Sequence, residues 1–302
     1  MNESGPADDV WTVQRILAWT TNYLTKNGIP AARLEAELLC AHARQCQRVR
    51  LYTDYDMPMT DTERVRMREY VQRRAGREPL AYITGNREFY GRNFEVGVGV
   101  LIPRPETETL VDLALEQISD IHASQFAEVG FGSGCIAVTL AVQKPKCRIT
   151  ASDISDVCFG YATRNATMYE VTDRIRLVRG NGLEPIKRSS TDVRYDGIIS
   201  NPPYVCDHEL QELQPEVAEY EPHDALLSGV DGLDLIRRLI PESSDILKPG
   251  GWIGLECDPA QCEEVRRLMT DSGFTKIKIH QDHRNVDRIV TAFKKGDASA
   301  DK

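Results

Sequence analysis

The 302-residue chain lacks any long apolar run: none approaches the roughly 18 residues that a bilayer-spanning helix needs, and its first ten residues, MNESGPADDV, are polar and acidic. No membrane span and no secretory leader are expected, and the chain reads as cytoplasmic. Its eight cysteines (Cys40, Cys46, Cys135, Cys147, Cys158, Cys206, Cys257, Cys262) contain no Cys-x-x-Cys pair, and its six histidines contain no pair at ligand spacing. Neither a zinc site nor a disulfide scaffold is indicated, and the cysteines read as mostly buried thiols. A basic excess is missing too, since 37 Lys and Arg stand against 46 Asp and Glu for a net charge of −9. Phosphate backbones ask for a basic surface, so direct nucleic-acid binding is not expected. What is present, 41% hydrophobic and 27% charged residues, is the composition of a folded globular protein long enough for two domains.

Two textures divide the chain. From Val10 to Arg77 apolar residues recur at helical spacing (Val13, Ile16, Leu17; Leu34, Leu38, Leu39; Val65, Met67, Tyr70, Val71), with breaks at Asn27-Gly28-Ile29-Pro30 and Asp56-Met57-Pro58. Thr60 and Glu63 have capping-box spacing. A helical domain over 1–84 is expected, then a linking strand or hairpin over 85–100 carrying Phe89-Tyr90-Gly91-Arg92. A catalytic domain over 101–296 and a disordered tail over 297–302 complete the expectation. The segment to Leu80 is near neutral, with 12 basic and 11 acidic residues, whereas the rest holds 25 and 35. Arg64, Arg66, Arg68, Arg73, Arg74 and Arg77 crowd one helix of the neutral part. They read either as a solvated face partnered by Glu63 and Glu69 or as a docking surface for an acidic or RNA-rich partner.

From Phe126 onward strands and helices alternate. Strands are predicted at Phe126–Val129, Arg148–Ala151, Ile175–Val178, Gly197–Ser200, Trp252–Glu256, Lys276–His280 and Arg288–Phe293. Helices are predicted from Gly134 and Ser155, over Leu233–Leu247 and over Ala260–Met269. This is the pattern of an open, mostly parallel α/β sheet, whose ligands bind beyond the carboxyl ends of the strands. At the first such end stands Glu128-Val129-Gly130-Phe131-Gly132-Ser133-Gly134, where small residues let backbone approach a ligand closely. Asp153, 23 residues after Gly130 at the end of the second strand, is placed to accept hydrogen bonds from ribose hydroxyls. Loop and acid together point to a nucleoside cofactor, and the Gly-x-Gly-x-Gly spacing favours S-adenosylmethionine over a dinucleotide.

Ser200-Asn201-Pro202-Pro203-Tyr204 follows the strand Gly197–Ser200. A carboxamide or exocyclic amine nitrogen is a poor nucleophile because its lone pair is delocalised. A site that methylates one must accept hydrogen bonds from both N–H groups and aim the lone pair at the methyl. Asn201 offers a side-chain oxygen, the Pro202 carbonyl a second acceptor, and Tyr204 a flat face for stacking. Pro202 and Pro203 stiffen the turn and remove competing N–H donors. Catalysis by positioning and preorganised electrostatics follows, with no general base required. His208 and His223, near this loop, read as surface groups.

With these motifs in place, the chain resembles the HemK family of bacterial peptide chain release factor glutamine N5-methyltransferases over nearly its whole length. The resemblance rests on Ile102-Pro103-Arg104-Pro105-Glu106-Thr107-Glu108, the Gly130–Gly134 loop with Cys135-Ile136-Ala137, and Asn201-Pro202-Pro203-Tyr204. It extends to Leu213 through Pro222, Gly229-Val230-Asp231-Gly232-Leu233, Leu247-Lys248-Pro249-Gly250-Gly251 and Glu256. It implies a class I S-adenosylmethionine-dependent methyltransferase, a Rossmann-like α/β fold with a small N-terminal helical bundle that helps hold the release factor. It further implies methyl transfer to the glutamine of the Gly-Gly-Gln motif of class 1 release factors, and a monomer is expected. Carried over by position, Gly130, Phe131, Gly132, Ser133 and Gly134 surround the methionine moiety, Asp153 the ribose, and Asn201, Pro202, Pro203 and Tyr204 the glutamine amide, with Asn201 also touching the cofactor. Arg104, Glu106 and Glu221 are expected to order the wall of the site through ion pairs.

Four positions depart from that pattern. The family loop reads Asp-Leu-Gly-Thr-Gly-Ser-Gly, whereas this chain has Glu128 for the acid and a bulky Phe131 for the threonine. The family's Gly-Asp followed by a large apolar residue, which meets the adenine, is here Gly180-Asn181-Gly182. Each lost contact is worth about 1–3 kcal/mol of cofactor binding. Phe131 is expected to point away and Leu183 to stand in for the missing packing. The competing expectations are a weakened or inactive release-factor-binding homologue, a methyltransferase on a ribosomal-protein glutamine, and an adenine N6-methyltransferase on nucleic acid.

Overall fold

Thr12 and Thr60 open the two longest helices of the N-terminal part, each hydroxyl accepting from the amide three residues on, as N-caps do. The computed structural model describes residues 10–189 and 193–296, and the expected tail over 297–302 lies outside them. Contacts divide the chain into two units, one ending at Gly85 and the next beginning at Asn86.

The first unit is helical: α1 (Val13–Lys26), α2 (Ala32–Arg44), α3 (Arg50–Thr53), α4 (Asp61–Ala75) and α5 (Leu80–Thr84). The capping box at α4 is complete in both directions between Thr60 and Glu63. Leu34 and Val65 do not share the core face, being 45% and 61% exposed. Helix α2 buries the small residues Ala32, Ala36, Cys40 and Ala43 around Leu39 instead, which brings α1 and α4 close to its backbone. Most arginines of α4 are engaged. Arg64 pairs with Asp61, Arg73 with Glu78, and the buried Arg74 with Glu35, while Arg77, just past the end of α4, donates to the Gly28 carbonyl.

The second unit opens with a hairpin, β1 (Asn86–Phe89) and β2 (Arg92–Glu95), followed by α6 (Thr107–Gln117). Then come β3 (Ser124–Val129), α7 (Cys135–Gln143), β4 (Cys147–Asp153), α8 (Asp156–Met168), β5 (Ile175–Arg179), α9 (Glu184–Ser189), β6 (Tyr195–Ser200), α10 (Pro215–Tyr220), α11 (Asp234–Ile246), β7 (Leu247–Glu256), α12 (Cys262–Asp271), β8 (Phe274–Gln281) and β9 (Asp287–Lys294). The strands form one sheet in the order β5-β4-β3-β6-β7-β9-β8, parallel except that β9 runs against both β7 and β8. Side-chain alternation along β3 sends Phe126 to a core with α6, α7 and α8, and Ala127 to a core with α9, α11 and α12. Every predicted strand and helix of this unit is present within a few residues of its expected limits. The short helices α9 and α10 escaped the sequence pattern because one or two turns carry too little periodicity to read.

The chain leaves β3 toward β4 and β5, then returns to lay β6 on the other side of β3. That reversal is the switch point at which ligands bind in such sheets. Val129, the last residue of β3, lies between Ser152 on β4 and Ser200 on β6. Gly130, Asp153 and Asn201 therefore emerge at one level from three adjacent strands.

Candidate active site

Around this switch point lies a cavity of about 850 Å³, lined among others by Gly130 to Ser133, Asp153, Gly180 to Gly182, Asn201 and Pro203. Its floor is the loop after β3. Gly130, Gly132 and Gly134 all have positive φ. At Gly134 an added Cβ would lie 3.1 Å from the Ala162 Cβ, so the residue must be small for α7 to approach α8. The Gly130 amide donates to the Ser152 carbonyl at 2.8 Å, and the Ser200 hydroxyl donates to the Val129 carbonyl at 2.7 Å, fixing the loop to both neighbouring strands.

Two carboxyl groups meet this floor. Asp153 accepts from the Gly132 amide at 2.9 Å through Oδ2 and from the Ser155 amide at 2.9 Å through Oδ1. Burial pushes its carboxyl up, and those amides oppose the shift. Each oxygen keeps a lone pair for a ligand hydroxyl. Glu128 is fully buried beside the cavity, and among the described residues neither carboxylate oxygen has a hydrogen-bond donor. Burial holds its carboxyl well above the usual range. The nearby Ala137 amide, not within ordinary hydrogen-bond geometry, opposes this weakly, and the Asp153 charge adds to it. An orphaned buried carboxyl fits a ligand that brings a cationic group.

Asn201 stands at the carboxyl end of β6. Its Nδ2 donates to the Thr107 hydroxyl at 3.0 Å, and Thr107 Oγ1 donates to Glu256 Oε2 at 2.7 Å. No described residue donates to Asn201 Oδ1 or to the Pro202 carbonyl, so both acceptors are available. Pro203 lines the cavity; Pro202 and Tyr204 do not. Tyr204 turns toward Glu256, Arg288 and Arg104, and burial, reinforced by the Glu256 charge, raises its hydroxyl further above the phenol range. It stays a phenol and is no base. The Gln261 side chain donates at 2.9 Å to the carbonyls of both Tyr204 and Asp231, clamping two loops together. Gly232 sits in the clamp, where a Cβ would meet the Tyr204 carbonyl oxygen at 2.1 Å.

The departures in the loops resolve individually. Phe131 is only 2% exposed and its ring packs edge-on against Phe159 at 6.1 Å between centroids, within the core under α7 and α8. Phe131 still lines the cavity, which keeps a volume of about 850 Å³ with the ring in place. Leu183 is completely buried against Ile186 and α11, and is absent from the cavity lining, so it does not replace the missing packing as expected. Arg238 of α11 stands there instead: Nη1 lies 3.4 Å from Asn181 Oδ1, and Nη2 3.3 Å from where a Cβ on Gly182 would be.

Comparison with known proteins agrees with this architecture. Residues 15–85 match the PrmC N-terminal domain and residues 107–219 the methyltransferase small domain. A release factor glutamine methyltransferase of Geobacter sulfurreducens is 42% identical over 282 residues, covering 93% of this chain and 96% of that protein. Its counterpart in Rhodopirellula baltica is 40% identical over 295 residues, covering 95% and 98%. The chain belongs to the release factor glutamine methyltransferase family. Among solved structures, a methyltransferase from Pyrococcus furiosus aligns at TM-score 0.50 with 21% identity, over 69% of this chain and 91% of that one. The hMettl16 catalytic domain in complex with MAT2A 3′UTR hairpin 6 aligns at 0.56 with 17% identity, over 76% and 83%. These two show the fold alone, that of class I methyltransferases. No helix among the described residues is long and apolar enough to cross a membrane.

The family's proline-flanked segment forms a wall of the site. Arg104 meets Glu221 at 2.6 Å, and Glu221 also accepts from the Ile102 amide at 3.0 Å. Glu106 pairs with Arg284 at 3.1 Å instead of joining them. His208 and His223 are both exposed and outside the cavity lining. Four residues at the site carried no role in the sequence reading: Thr107, Glu256, Gln261 and Arg238. Thr107 and Glu256 lie inside recognised motifs, but only the three-dimensional register shows that they meet.

Proposed function

We propose that this protein transfers a methyl group from S-adenosylmethionine to the side-chain amide nitrogen of the glutamine in the Gly-Gly-Gln motif of class 1 release factors. One observation carries the reading: Asn201, whose Oδ1 receives no hydrogen bond from a described residue, lines a cavity of about 850 Å³ at the carboxyl end of β6, with the Pro202 carbonyl, likewise without a described donor, next to it in the chain. The names of the Geobacter and Rhodopirellula relatives support the substrate class.

When bound, S-adenosylmethionine supplies an electron-poor methyl on a sulfonium. Glu128 is suited to its ammonium group, Gly130 through Gly134 to the methionine chain, Asp153 to the ribose hydroxyls, and Asn181 with Gly182 to the adenine side. Asn201 Oδ1 and the Pro202 carbonyl accept the two N–H groups of the substrate amide, which holds the nitrogen lone pair toward the cavity. Neither group removes a proton; the one that the amide gives up passes to solvent. The chain thereby acts by orientation and by hydrogen-bond acceptors that need no rearrangement. The burial of Phe131 supports an active enzyme over a homologue that only docks the release factor.

The test is transfer of labelled methyl from S-adenosylmethionine to a purified class 1 release factor. Label on the wild-type factor and none after its motif glutamine is replaced is the expected result. Label appearing only on ribosomal protein or nucleic acid would overturn the assignment of substrate.

A further inference from the structure

An asparagine carboxamide can face a ligand with its oxygen or with its NH2, and only the oxygen can accept an N–H from a substrate amide. Asn201 therefore needs something to hold it the right way round. Its Nδ2 lies 3.0 Å from Thr107 Oγ1, which lies 2.7 Å from Glu256 Oε2, and Thr107 and Glu256 are 2% and 1% exposed. Water cannot compete for these bonds. A hydroxyl has one proton. While ionised Glu256 takes that proton, the Thr107 oxygen can only accept, which obliges Asn201 to turn its NH2 inward and its oxygen outward.

We propose that Thr107 and Glu256 are positioning residues that lock the Asn201 carboxamide with its acceptor toward the substrate. The inference rests on the amide methylation proposed above and adds the residues that set its geometry.

The lock depends on the charge of Glu256. Arg288 on β9 and Arg104 ahead of α6 favour its ionised form, Glu106 opposes it, and the neighbouring Tyr204 phenol is neutral. Burial outweighs the arginines and pushes the carboxyl up to about 7. Below that pH a protonated Glu256 can donate as well as accept. Thr107 is then free to point its proton at Asn201, and the flipped amide, with its NH2 outward, becomes equally satisfiable.

Thr107→Val, Thr107→Ser and Glu256→Gln test the lock, with kcat and KM measured on the release factor under saturating cofactor, cofactor affinity by calorimetry, and folding by thermal melts. Thr107→Val is expected to lower kcat about tenfold or more while cofactor Kd stays within about twofold. Thr107→Ser, which keeps the hydroxyl, restores most of the loss. Wild-type kcat falls as pH drops through about 7, the Glu256 value, whereas Glu256→Gln is flat over that range at the low, acid-side level. In protein isotope-labelled at asparagine, the Asn201 side-chain NH2 signals shift with the same midpoint in wild type and do not in Glu256→Gln. A folded Thr107→Val enzyme with wild-type kcat, or Asn201 signals indifferent to pH, would overturn the proposal. An NMR titration as expected, in a protein that methylates no release factor, would sink the functional reading and leave the lock standing.

Discussion

Glu128→Leu should make the protein more stable and a worse binder of S-adenosylmethionine. Glu128 is fully buried, and neither oxygen has a donor among the described residues. Leaving a buried polar group unsatisfied costs about 1–3 kcal/mol, and leucine fills nearly the same volume without that cost. For a unit of this size about 1 kcal/mol moves Tm by about 2–4 °C, so a rise of about 2–12 °C is expected in ligand-free protein. The pH dependence has a definite sign. Because burial raises the folded-state value, unfolded and folded chains both hold the proton in acid, so only the cost of the unsatisfied neutral carboxyl remains there and the ionisation contribution is absent. As pH climbs past the ordinary carboxyl range the unfolded chain ionises first, so the variant's advantage widens toward neutrality. The assay is thermal melting at acidic and neutral pH, with and without S-adenosylmethionine. Ligand stabilises wild type by an amount set by its concentration over Kd, and the variant should lose most of that shift. A variant that melts lower than wild type at neutral pH, or that keeps the full ligand-induced shift, would refute the reasoning.

Other consequences are equally direct. Asn201→Ala should abolish methylation while the protein still binds cofactor through Asp153 and the glycine loop, as calorimetry beside the labelled-methyl assay will show. Arg104→Ala strands Glu221, whose side chain is 1% exposed, and should destabilise the second unit toward the lower end of the about 3–5 kcal/mol typical of a broken buried pair, read by denaturant melts. Arg238→Ala should weaken cofactor binding about two- to thirtyfold if the guanidinium covers the adenine face in place of the missing side chain at position 182, and calorimetry reporting an unchanged Kd would remove that role.

The alternating order of strands and helices was legible because each strand of the parallel sheet is a short apolar run bounded by turn residues, and each helix repeats with its own period. The glycine loop, Asp153 and Asn201 were legible for a related reason: each stands immediately after a strand, and the rule that ligands bind at strand ends converts sequence position into spatial position. The N-terminal core was harder. Leu34 and Val65 fit a helical stripe by spacing yet face outward, because α2 turns alanines and Cys40 to its neighbours so that the backbones come close. Hydrophobicity alone ranks leucine above alanine and cannot register the demand for closeness.

What sequence spacing does not contain is the identity of partners far apart in the chain. Thr107 and Glu256 are 149 residues apart, and their meeting follows from the placement of α6 beside the end of β7, which neither motif encodes by itself. The same holds for the departures at positions 131 and 182. Phe131 looks obstructive beside glycines, but the loop that turns at Gly130 and Gly132 leaves its ring buried and packed edge-on against the partly exposed Phe159, with the cavity still present beside it. Gly182 looks like a lost contact until α11 brings Arg238 to the space a side chain would fill. In both cases the substitution is judged by where the backbone aims it and what another helix supplies, so a residue that breaks a family motif is evidence of lost function only when nothing else in the fold occupies its place.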